Sequence, residues 1–336
     1  MDFGRVLTAM VTPFLDNGEV DYDEVKRLAV HLIENGNDGL VVCGTTAETP
    51  TLTHDEKINI VKAVKEVIGG KAAIVVGTGT NCTRTTIEAT KEMEALGVDG
   101  VLVVAPYYNK PSQEGLYQHF KAVAEATTLP VILYNIPGRC GINMAPELIA
   151  RLAQIPNIVA VKEAAGSIEQ VSKIKTLVPD DFVIYSGDDS LTLPMMAVGG
   201  YGIISVAAHV VGNQIRAMVD AYVAGDVAGA AAQHKALYPI FKSLFITSNP
   251  VPVKICVKSG WIWQWQGAVA IGGSECTGKR SCAENHERFE FSIIVCRKPH
   301  RYVVAGGAFF FLKKLKPVFV KMPFFKKRAV SIFDVD

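Results

Sequence analysis

Lys162 closes an apolar, β-branched run, NIVAVKE at 157–163, where a buried strand would be expected to carry no charge. Burying an ammonium without a partner is costly, and a lysine placed this way tends to lose its proton. Either Glu163 beside it satisfies the charge, or the amine is kept as a nucleophile. Other groups suited to carbonyl chemistry recur at the ends of similar runs. They include Cys43-Gly44-Thr45-Thr46-Ala47-Glu48, Gly77-Thr78-Gly79-Thr80-Asn81 and Pro106-Tyr107-Tyr108-Asn109. Tyr134-Asn135-Ile136-Pro137-Gly138-Arg139 and Ser186-Gly187-Asp188-Asp189 complete the set. A desolvated lysine attacks a ketone and forms an imine, and a nearby tyrosine can shuttle the protons. An arginine offers a planar fork to a carboxylate, and glycines let backbone donors approach a second one. Each residue also has a bland role: tyrosines cap cores, Arg139 could pair with a surface carboxylate, and Asp188 and Asp189 could cap a helix beginning near Ser190.

Eight short runs carry these groups, at 5–12, 39–44, 72–79, 100–106, 130–135, 157–163, 182–187 and 202–207. Between them lie stretches of helical periodicity. In YDEVKRLAVHLIEN, Val25, Leu28, Ala29, Leu32 and Ile33 share one face. Strands alternating with helices imply βα units and a parallel sheet, and strands apolar throughout fit a sheet covered on both sides. Eight units fit a (β/α)8 TIM barrel, and no GxGxxG after the first strand supports a doubly wound alternative. The helical stretch after 208 is long enough for the eighth helix plus an appended one. The expected organisation is a barrel over 1–224, the start of a C-terminal helical extension over 225–258, and an atypical tail over 259–336. Active sites of such barrels lie where the strands end, so the polar groups above share one mouth.

Formal net charge over 336 residues is +1, but residues 297–336 hold ten Lys/Arg against Asp334 and Asp336. The remaining 296 residues therefore carry −7, which argues against nucleic acid as a partner. No apolar run reaches the roughly 18 residues of a membrane span, and the N-terminus does not read as a secretory signal. Seven cysteines without a CxxC pair suit a reducing cytoplasm, and scattered histidines give no metal-binding pattern. No metal and no cofactor are expected.

GTTAE at 44–48, PYYNKPSQEGLYQHF at 106–120, YNIPGR at 134–139, VKEAAG at 161–166, SGDD at 186–189 and NPVPVK at 249–254 together resemble the dihydrodipicolinate synthase family. These are class I aldolases related to N-acetylneuraminate lyase, and the resemblance runs from about residue 3 to 258. It implies a Schiff-base lyase that condenses pyruvate with L-aspartate 4-semialdehyde to 4-hydroxy-tetrahydrodipicolinate, in lysine (diaminopimelate) biosynthesis. Lys162 would form the imine, Tyr134 would exchange protons at it, and Thr45 would link Tyr134 to Tyr108 of a neighbouring subunit. Thr46 would hold the pyruvate carboxylate, with Gly187 and Ile204 in the substrate pocket. Arg139 would take the carboxylate of the aldehyde substrate. The resemblance also implies a homotetramer, a dimer of dimers, with no nucleic-acid or membrane partner. Two alternatives stand beside this: a pyruvate-dependent lyase acting on a sugar acid, and an inactive ligand-binding barrel.

Three features depart from the family. Ala47 stands where a glycine is usual, and it would strain the loop if that position needs φ > 0. Lys57 and Thr85 stand where lysine-inhibited members carry histidine and glutamate, beside His54, Asn81 and Tyr107, which match; lysine inhibition is expected to be weak or absent. After Gly260 the chain turns basic and aromatic, with all three tryptophans in WIWQW at 261–265. We read 259–336 as a frameshift product or a disordered segment and assign it no function.

Overall fold

The computed structural model describes residues 2–258, together with backbone strands at 292–294, 303–305, 316–320 and 330–334. Eight parallel strands close a barrel in sequence order: β1 (Val6–Ala9), β2 (Gly39–Val42), β3 (Ala73–Gly77), β4 (Gly100–Val104), β5 (Val131–Asn135), β6 (Ile158–Glu163), β7 (Val183–Ser186) and β8 (Gly202–Ser205). β8 returns to β1, with Leu7 beside Ile204, so no strand edge is left open. Every strand lies within a run expected from the sequence. The runs were apolar because both sheet faces are covered.

Period-two alternation sorts the strand residues into two cores. Leu7, Val41, Leu102, Ile132, Tyr134, Ala160 and Ile204 fill the barrel. Val6, Leu40, Val42, Val101, Leu133 and Val161 pack outward against the helices. Residues 160 and 162 share a parity, so Lys162 continues the inward row that Ala160 begins.

The helices are α1 (Tyr22–Glu34), α2 (His54–Ile68), α3 (Thr83–Ala95), α4 (Gln113–Glu125), α5 (Pro137–Cys140), α6 (Pro146–Leu152), α7 (Ile168–Leu177), α8 (Thr192–Ala197), α9 (Ala208–Val223), α10 (Val227–Ser243) and α11 (Val251–Lys258). α1 buries Val25, Leu28, Ala29 and Leu32 as its periodicity requires, while Ile33 is only half-buried. α2 opens on a complete capping box between Thr53 and Glu56. The long segment after 208 divides at Gly225 and Asp226: Asp226 caps α10, which packs along α9. α11 follows as a third C-terminal helix.

Residues 270–336 form a separate unit, in which β9 (Ser292–Ile294) pairs with β10 (Val303–Ala305) and β11 (Lys316–Val320) with β12 (Val330–Asp334), both antiparallel. The reading of 259–336 as a frameshift or disorder otherwise falls outside the described residues. Among the described residues, no helix is long and apolar enough to cross a membrane, and no cluster of metal-ligating side chains occurs.

Candidate active site

Lys162 is 5 % exposed. Strand register sets it beside Tyr134, and its Nζ stands 4.5 Å from the centre of the Tyr134 ring. Burial pushes its pKa from 10.5 down to about 8; the Asp189 carboxylate opposes that shift and Arg139 adds to it. Glu163 does not satisfy the lysine, because adjacent strand residues face opposite ways. Its carboxylate instead accepts from Asn135 Nδ2 (3.0 and 3.2 Å), Gln170 Nε2 (3.1 Å) and the Ala165 N–H (2.6 Å). Lys162 is thus a desolvated amine above an aromatic face.

Tyr134 is buried, and its phenol is pushed up to about 12 chiefly by desolvation, against a hydrogen bond with Thr45. Thr45 sits on the loop after β2, which turns through left-handed backbone at Cys43 (φ 54°) and Glu48 (φ 57°). Gly77 is required beside it: a Cβ there would lie 2.3 Å from the Cys43 carbonyl oxygen. Ala47 is not among the left-handed residues, so alanine stands there without backbone strain, and its carbonyl accepts from Thr12 Oγ1 at 2.8 Å. The left-handed position is Glu48, one residue on.

Thr46 is buried, and its Oγ1 accepts from Asn249 Nδ2 at 2.9 Å. Arg139, exposed on the short helix after β5, donates from Nη2 to the Asn249 carbonyl at 3.0 Å rather than to a surface carboxylate. Among the described residues, Asn249 is the hydrogen-bond partner recorded for its guanidinium, whose five donors can also serve an anion. Gly187 borders the amine: a Cβ there would meet the Ala164 Cβ at 2.7 Å and the Lys162 Cε at 3.3 Å. Ile204 lines the barrel interior beside Tyr134.

The fold therefore brings together Lys162, Tyr134, Thr45, Thr46, Arg139, Gly187 and Ile204. It does not bring Tyr108 to them. Tyr108 lies on the loop after β4, 88 % exposed and held at φ 72°.

The acidic pair after β7 divides its work. Asp188 caps the turn as expected, its Oδ1 accepting from the Ser190 N–H at 2.8 Å. Asp189 is no cap. It is buried, accepts from Ser205 Oγ and from the Val206 and Ala207 N–H groups (3.2 and 3.1 Å), and has its pKa raised to about 6 by desolvation. Asp189, which was expected only to cap a helix, and Asn249 were assigned no part in the site from the sequence. The signal for Asn249 was its place in NPVPVK, far along the chain from any strand end; that for Asp189 was its place at the end of the seventh run.

The chain matches the Dihydrodipicolinate synthetase family over residues 2–263. It is 63 % identical to 4-hydroxy-tetrahydrodipicolinate synthase of Moorella thermoacetica over 254 residues, covering 76 % of this chain and 87 % of that one. The corresponding figures for the synthase of Synechococcus elongatus are 57 % over 261 residues, 77 % and 87 %. Among solved structures, the lysine-bound synthase of Cyanidioschyzon merolae superposes with a TM-score of 0.76 at 47 % identity, over 77 % of this chain and 89 % of that one. A synthase of Bacillus anthracis gives 0.75 at 45 %, over 82 % and 92 %.

Proposed function

The chain belongs to the dihydrodipicolinate synthetase family, and from that premise we propose how its barrel mouth performs the reaction. The enzyme is a lyase of the class I aldolase type that joins pyruvate to L-aspartate 4-semialdehyde and yields 4-hydroxy-tetrahydrodipicolinate, in lysine biosynthesis through diaminopimelate. The sugar-acid and inactive-barrel alternatives lose their support to relatives of this one activity at 53–63 % identity.

Lys162 attacks the C2 carbonyl of pyruvate and water leaves, forming an imine. At pH 7 about a tenth of its amine is free if it titrates near 8, against a few parts in ten thousand for an ordinary lysine. The iminium draws electrons from C3, which loses a proton and becomes an enamine carbon. That carbon attacks the aldehyde of the second substrate. The substrate's own amine then attacks the imine carbon, closing the ring and expelling Lys162. No cofactor or metal enters these steps. Tyr134 exchanges the protons, relayed through Thr45 to Tyr108 of a second subunit, since this chain's own Tyr108 points to solvent. Thr46 binds the pyruvate carboxylate, with Gly187 and Ile204 shaping the pocket. Arg139 receives the carboxylate of the semialdehyde. Assembly is a homotetramer of two such dimers, working in the cytoplasm.

The observation that carries this reading is a buried lysine, unpaired by its neighbouring carboxylate, against a tyrosine that Thr45 holds. Incubation with pyruvate and each candidate aldehyde, with products weighed by mass spectrometry, tests the substrate assignment. Turnover with aspartate 4-semialdehyde should exceed that with a sugar aldehyde at least about a hundredfold. Comparable rates would refute it.

A further inference from the structure

The NPVPVK segment at 249–254 leads into and opens α11, and the reaction above gives it no part. Its contacts are with the loop that carries Thr45 and Thr46. Lys254 Nζ bonds Glu48 Oε1 at 2.5 Å and lies 4.2 Å over the Phe14 ring. Asn249 reaches further in. It is 8 % exposed and touches two site residues at once, donating from Nδ2 to Thr46 Oγ1 and accepting Arg139 Nη2 at its backbone carbonyl.

The direction of the first bond matters. A threonine hydroxyl has a single hydrogen and can accept as well. Because Asn249 supplies the hydrogen between them, the hydroxyl hydrogen of Thr46 stays available to another acceptor. Among the described residues the Asn249 Oδ1 accepts nothing, so the amide is held by its donor side.

We propose that Asn249 is a positioning residue for this reaction: its side-chain amide sets Thr46 as a donor to the pyruvate carboxylate, while its carbonyl holds Arg139 for the carboxylate of the second substrate. One residue of the C-terminal extension thereby aligns both anion sites, and the extension completes the mouth of the barrel. The inference rests on the assignment of Thr46 to the pyruvate carboxylate.

The test is a double-mutant cycle in the full chain, with pyruvate affinity read from KM and from the pyruvate dependence of Lys162 adduct trapping. Thr46→Val alone should raise the pyruvate KM tenfold or more, about the worth of one charge-assisted hydrogen bond. Asn249→Ala should raise it about tenfold with kcat changed less than about threefold, and should add little in the Thr46→Val background. Asn249→Asp keeps the shape and has only acceptors at neutral pH. It should bind pyruvate more weakly than Asn249→Ala, because it captures the Thr46 hydrogen and repels the substrate. This isosteric variant keeps the test decisive if the alanine variant does not fold. Additive effects, a tolerated aspartate, or a loss confined to kcat would overturn the inference. An unaffected pyruvate KM in Thr46→Val alone would overturn the Thr46 assignment, and the inference with it.

Discussion

Replacing Lys162 by methionine should stabilise the protein while abolishing its chemistry. Methionine is unbranched, apolar and of similar reach, so it can occupy the same space. The lysine's pKa falls from 10.5 in the unfolded chain to about 8 in the barrel. At 1.36 kcal/mol per pH unit, that difference corresponds to a folding cost of about 3 kcal/mol. The sign follows from proton uptake. Below about pH 8 both states bind the proton and the cost is complete; between 8 and 10.5 only the unfolded chain binds it and the cost declines; above 10.5 it vanishes. This cost is already net of the attraction to buried Asp189, so methionine, which carries no charge to bury, is expected to gain about 3 kcal/mol at pH 7. Urea unfolding of both proteins at pH 7 and pH 10 measures it. The wild-type kcat/KM for pyruvate should rise tenfold per unit up to pH 8 and then level. A destabilised Lys162→Met at pH 7, or a gain that does not shrink at pH 10, would refute the reasoning.

Gly187→Ala should reduce kcat about 10–100-fold and cost about 1–3 kcal/mol of stability, because the new methyl meets Ala164 at 2.7 Å and crowds Lys162; steady-state rates and urea midpoints check it. Tyr108→Phe and Lys162→Ala proteins, each nearly inactive alone, should regain activity on subunit exchange, since a mixed pair has one complete site; absence of recovery would argue against a shared site. The rate should be unchanged in millimolar lysine. Lys57 would repel the ligand's ammonium, and Thr85 offers no carboxylate, its hydroxyl being engaged with Thr80 and the Cys82 carbonyl. Strong inhibition would contradict that.

The eight strands were legible because each is apolar on both faces and bounded by turn residues. Lys162 stood out because it sets a cation at the C-terminal end of such a run, where active sites of this fold lie. Its freedom from Glu163 follows from strand alternation, which the run 157–163 already carries. Less was legible where long-range geometry decides. Ala47 could not be judged until the backbone placed the left-handed turn at Glu48 instead. Asp189 looked like its neighbour Asp188, yet it takes one hydrogen bond from Ser205 at the end of β8 and two from the backbone just after it. Asn249 lies 203 positions from its partner Thr46. No local pattern reports such a contact.

The central claim is that Lys162 is the nucleophile. Incubation with pyruvate and borohydride, followed by intact mass and peptide mapping, tests it directly. A reduced pyruvyl adduct confined to the Lys162 peptide, and absent from Lys162→Ala, is the predicted result. Folded protein that carries no adduct, or carries it on another lysine, would contradict the account.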